Sequence, residues 1–99
     1  MARSVNEGDS RSEIEHQILS YLLKNPAAKD TAAGIFEWWL KSPQQWSASA
    51  VEEAIEDLVE KQWILVTQLK TGVPLYGLNP DAQRSIERAI EEQESRWRT

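Results

Sequence analysis

Five carboxylates, Glu52, Glu53, Glu56, Asp57 and Glu60, crowd the stretch from residue 52 to residue 60. On a helix, Glu52, Glu56 and Glu60 form one row at i, i+4 spacing, and Glu53 and Asp57 form a second. Paired carboxylates do acid–base or metal chemistry when they converge, whereas these diverge on a convex surface. Nothing there would raise a pKa for proton transfer, and calcium wants about six to eight oxygens converging from a looped backbone. Like charges one turn apart cost a few tenths of a kcal/mol per pair, so helix stability does not explain the row. Two readings stand: a solvated face that keeps the chain soluble, or a docking surface for a basic partner.

Other chemistry finds little support. His16, the single histidine, sits mid-helix with no nucleophile motif around it. No glycine-rich phosphate loop is present, and the absence of cysteine removes thiolate metal sites and disulfides. The expectation is therefore a non-enzymatic protein with no catalytic residue, no cofactor and no metal.

The elements that carry these residues follow from periodicity and caps. Residues 1 to 9 are polar and aperiodic and read as a flexible lead-in. Ser10-Arg-Ser-Glu13 fits a capping box, opening a helix whose apolar stripe is Ile14, Ile18, Tyr21 and Leu22, broadened by Leu19 and Leu23 and ended by Asn25-Pro26. Ala27 to Lys29 read as a linker. Asp30 or Thr31 caps a second helix with Ile35, Phe36, Trp39 and Leu40 on one face; Gly34 weakens it by about 1 kcal/mol relative to alanine. Ser42-Pro43 stops it, and Gln44-Gln-Trp46-Ser47 turns into a third helix opened by Ser49-Ala-Val-Glu52. That helix runs from about Ala50 to Gln62 and buries Val51, Ala54, Ile55, Leu58 and Val59. Trp63 to Leu69, a turn at Thr71-Gly72 and a return strand from Pro74 predict a hairpin. Asn79-Pro80 opens a fourth helix of about residues 80–94, with 95–99 as a tail.

Bulk composition limits the roles. Ninety-nine residues make one domain with one modest core. The net charge of −5 and pI of about 4.8 oppose the basic balance of most nucleic-acid binders. The N-terminus has no apolar run of the kind a signal peptide needs, and no later run reaches membrane-spanning length, so a soluble, cytoplasmic protein with no membrane partner is expected.

Helix, helix, turn, helix, hairpin, helix is a mainly α order with a small β-hairpin. Over about residues 10 to 94 it resembles the winged helix-turn-helix superfamily of transcription-regulator domains. The resemblance rests on Ile18-Leu-Ser-Tyr-Leu-Leu23, Thr31-Ala-Ala-Gly-Ile-Phe36, and Val51, Ile55, Leu58 and Val59 leading into Gln62-Trp63-Ile64. It implies a third helix that enters the DNA major groove and a hairpin, the wing, that touches backbone or minor groove. Against that stands the acidic third helix, where such domains usually offer Arg, Lys, Asn, Gln or Ser.

Groups available for DNA are Lys29, Lys41, Gln44, Gln45, Ser47, Ser49 and Lys70, opposed by five nearby carboxylates. The leading reading is a protein-contact module using Glu52, Glu53, Glu56, Asp57 and Glu60. A dimeric DNA-binding regulator is the alternative. The fourth-helix stripe Ala82, Ile86, Ala89 and Ile90 either docks on its own domain or pairs with a second copy, and Trp97, beyond the expected helix end, favours the second. Trp39 and Trp63 belong to the core, while Trp38 and Trp46 either cap its edge or form an exposed anchor, the cap being favoured.

Overall fold

Helix α1 (Glu7–Lys24) lays Ile14, Ile18, Leu19 and Leu22 into the core at the expected helical spacing. The computed structural model describes residues 7–40 and 46–98, with side-chain surroundings for 11–40 and 46–96. The helix begins before Ser10, so Ser10 lies inside it rather than capping it. Asn25 ends it as expected: its backbone N–H and its side-chain amide both donate to the Tyr21 carbonyl, at 2.9 and 3.0 Å.

The expected linker contains a strand. β1 (Lys29–Asp30) pairs antiparallel with a later strand, Pro74–Leu78, Lys29 opposite Gly77 and Asp30 opposite Tyr76. A Cβ on Gly77 would stand 2.9 Å from Lys29 Cγ, so only glycine lets β1 approach this closely. Thr31 then caps α2 (Ala32–Gly34), its hydroxyl accepting from the Gly34 N–H at 3.1 Å. Asp30 accepts from the Thr31 N–H at 2.8 Å, and its carboxylate lies where a Cβ on Gly34 would be. The glycine that weakens the helix locally is therefore required by its neighbour.

The helix continues as a π-helical turn, Ile35–Trp39. Ile35, Trp39 and Leu40 are buried, and Trp39 stacks on Tyr21 of α1 with ring centroids 4.7 Å apart. Helix α3 (Ala48–Glu60) is capped by Ser47, whose hydroxyl accepts from the Ala50 N–H at 3.0 Å, so the expected cap at Ser49 falls inside the helix. Its apolar face buries Val51, Ala54, Ile55 and Leu58 as expected, with Val59 half-buried.

At the other end, Gln62 adopts a left-handed φ of 67°. The Gln62 N–H donates to Val59 and the Trp63 N–H to Leu58, the paired bonds of a left-handed helix stop. β2 (Ile64–Gln68) follows at once and pairs antiparallel with β3 (Pro74–Leu78), from Ile64 opposite Leu78 to Gln68 opposite Pro74. The sheet order is β1-β3-β2.

Asn79 closes the unit. Its side-chain oxygen accepts from Asp81 N–H at 3.1 Å and caps a 3-10 turn, Pro80–Ala82, that leads into α4 (Gln83–Arg98). Ala82, Ile86 and Ile90 are buried within the same chain's core, with Ala89 half-buried. Of the two readings of this stripe, docking on its own domain thus takes most of its apolar surface. The helix also outruns its expected end at residue 94 and includes Trp97, whose side chain lies outside the described residues.

Candidate interaction surface

The five carboxylates of α3 do not form one face. Glu53 turns toward α1, where Arg11 Nη2 stands 3.3 Å from its Oε1. Asp57, one turn on, meets the same helix lower down and pairs with Lys61 at 3.3 Å. Glu52, Glu56 and Glu60 remain exposed, one turn apart, with no ion pair among the described residues. The expected protein-contact face therefore splits into a seam with α1 and a solvent-facing row of three.

The seam contains a residue the sequence reading passed over. Glu15 is buried between α1 and α3, with Lys61 Nζ 3.6 Å from its Oε1. Its Oε2 is buried with no donor to accept from. Burial above all, and then the Asp57 carboxylate beside it, push its pKa up to about 7 against the pull of Lys61. A Glu15 carboxyl that keeps its proton donates to Asp57, and that bond chiefly holds Asp57 below the usual carboxylate range. Lys61 also lies over the Trp63 ring, 5.3 Å from its centroid, and Trp63 is half-buried. Spacing offered a clue, since Glu15 falls on the stripe of Leu19 and Leu22 at i, i+4 and i+7.

Beside this cluster, Glu15, His16, Lys61, Trp63, Ala89 and Gln93 line a cleft of about 200 Å³ between α1, the end of α3 and α4. His16 is engaged there, its Nε2 lying 3.2 Å from Glu94 Oε2.

The hairpin carries an unexpected surface. Leu65, Val66, Leu69 and Val73 are 48, 45, 45 and 40% exposed, and between Ile64 and Pro74 the one charged residue is Lys70. Of the residues available to DNA, Ser47, Ser49, Lys29 and Lys70 are exposed. Lys29 stands at the root of the hairpin opposite Gly77, and Lys70 at its tip beyond Pro74, so the two lie at opposite ends of β3. Lys41, Gln44 and Gln45 lie outside the described residues. Trp38 and Trp46 part company: Trp46 packs half-buried against the core, while Trp38 is 75% exposed and caps nothing.

A solved structure, the apo form of a double mutant of Lactococcus lactis ZitR, superposes with a TM-score of 0.60 at 21% sequence identity, covering 90% of this chain and 63% of that one. The fold is a winged helix-turn-helix. The third helix of that fold is α3 and its wing is the β2–β3 hairpin, widened by β1 into a three-stranded sheet. The chain spans less than two-thirds of the length of that neighbour. No family model and no curated protein matches the chain. Among the described residues, no group of three or more metal-ligating side chains converges, and no helix is long and apolar enough to cross a membrane.

Proposed function

We propose that this winged-helix domain is a non-enzymatic, transcription-regulator-like module that uses its acidic α3 to contact a protein with a basic surface. The observation that carries the reading is the exposed row of Glu52, Glu56 and Glu60 on the helix that this fold otherwise offers to DNA. A duplex laid against that row would set three uncompensated carboxylates against phosphates. Nucleic-acid affinity depends on the opposite charge. The apolar wing supports the same choice, because Leu65, Val66, Leu69 and Val73 offer a polyanion nothing and a protein surface a great deal. The rival, a dimeric DNA-binding regulator, rests on Lys29, Lys41, Gln44, Gln45, Ser47, Ser49 and Lys70. Three lysines, Lys29 and Lys70 at opposite ends of β3 among them, neutralise too few phosphates to offset the row.

Titration of a labelled duplex at low salt tests the reading. The expected result is no binding at micromolar protein. Binding at that level that weakens steeply with salt, and is lost on Lys29→Ala with Lys70→Ala, would overturn it in favour of the DNA-binding regulator.

A further inference from the structure

Among the described residues β2 is an open edge, pairing on one side alone in the order β1-β3-β2. The Asn79 N–H donates to Trp63 and the Leu69 N–H to Val73, both at 3.0 Å, so Leu65 and Thr67, lying between them in register, turn their main-chain groups toward β3. Ile64, Val66 and Gln68 turn theirs to the free edge. Exposed edges are ordinarily blunted by charge, proline or a bulge. This one carries Leu65 and Val66, with Leu69 just past its end, and no charge along its length.

We propose that β2 pairs antiparallel with β2 of a second copy of this chain about a two-fold axis at Val66. In that register Val66 faces its own counterpart and Ile64 faces Gln68. These are the residues whose main-chain groups point outward, so about six N–H···O bonds form. A slip of one residue would set inward-facing groups against outward-facing ones.

Charge complementarity selects a second copy as the occupant. Carried onward, the register sets Lys70 opposite Gln62 of the other copy, at the carboxyl end of its α3. Glu60 stands exposed there with no ion pair among the described residues, beside the negative end of the helix dipole. The two-fold makes the pairing twice, as an isologous interface does. Lys70, the wing's lone charge, thereby gains a partner its own chain does not supply. The interface shares Glu60 and the apolar wing with the surface proposed to meet a basic partner, and the two readings fail separately: self-association is read here with no partner present, and duplex binding is read there.

Sedimentation equilibrium on the full chain from micromolar to millimolar concentration tests it. The wild type is expected to dimerise reversibly with a dissociation constant on the order of 0.1 mM, as a small interface does. Val66→Pro removes an N–H that β3 does not use, so the hairpin should persist while the dimer weakens at least about tenfold. Val66→Lys, which sets like charges face to face at the axis, should do the same. Circular dichroism reports that each variant is folded. Glu60→Lys or Lys70→Glu alone should weaken the dimer, and the two together should restore it. A wild type that stays monomeric overturns the proposal, as does a dimer unmoved by both Val66 substitutions or a charge swap that restores nothing.

Discussion

The Asn79 side-chain amide donates to the Gln62 carbonyl at 2.6 Å, at the point where α3 stops and the wing begins. The same residue receives the Asp81 N–H and so opens the approach to α4. One side chain thus joins the ends of two helices. Asn79→Ala should cost about 1–2 kcal/mol in urea unfolding, through a lost cap and an orphaned carbonyl. Asn79→Asp keeps the cap and loses the donor, so it should fall between. Equal stability of wild type and Asn79→Ala would show that the joint contributes nothing.

Glu15 makes stability depend on pH in the direction opposite to an ordinary carboxylate. Its pKa is 4.5 in an unstructured chain and about 7 here, so between those values the folded state holds more protons than the unfolded one. Its contribution is full below about pH 4.5 and is lost as pH rises through about 7, a change on the order of 3 kcal/mol. Asp57, held low, has the ordinary sign and loses its contribution as pH falls through its depressed value. Glu15→Gln, neutral throughout and able to donate to Asp57, should flatten the upper slope and exceed the wild type in stability above neutrality. Parallel pH profiles for the two proteins would refute the assignment.

Gly34→Ala offers a cycle with a sign reversal. Helix propensity alone gives a gain of about 1 kcal/mol. The new Cβ would overlap the Asp30 carboxylate, which is tethered by the Thr31 N–H, so a net loss of about 1–2 kcal/mol is expected. In an Asp30→Ala background the same change should become stabilising. Thermal melts of the four proteins decide it.

If the acidic row is what opposes a duplex, Glu52→Lys, Glu56→Lys and Glu60→Lys together should raise DNA affinity above that of the wild type. Fluorescence anisotropy with a nonspecific duplex should then report micromolar binding. Its logarithm should fall against log salt with a slope of roughly −3, about one per neutralised phosphate. A variant that folds and binds no better than wild type would place the row off the groove-facing side of α3.

Much of this was legible because burial writes long periodic signals. Val51, Ile55 and Leu58 recur over two turns, and Ile14, Ile18 and Leu22 do likewise. β1 was not legible, since two residues carry no alternation and their partner lies at Gly77, far along the chain. Ser47 lost to Ser49 on pattern, because Ser49 has a glutamate three residues on and Ser47 has alanine. Geometry nevertheless chose the hydroxyl at the true start of the helix. Helical spacing separated Glu53 and Asp57 from the Glu52 row but could not show what they meet, since only the position of α1 brings Arg11 to the exposed Glu53 and Glu15 to the half-buried Asp57. Trp38 shows the limit of composition, a large aromatic left in solvent.

The left-handed stop at Gln62 leaves no slack between α3 and its wing. Trp63 is bonded back to Leu58 on one side and receives Asn79 on the other, so helix and hairpin form a single lever. A partner that tilts the hairpin tip must therefore tilt the carboxyl end of α3 with it. The load then arrives at Lys61, which pairs with both Glu15 and Asp57.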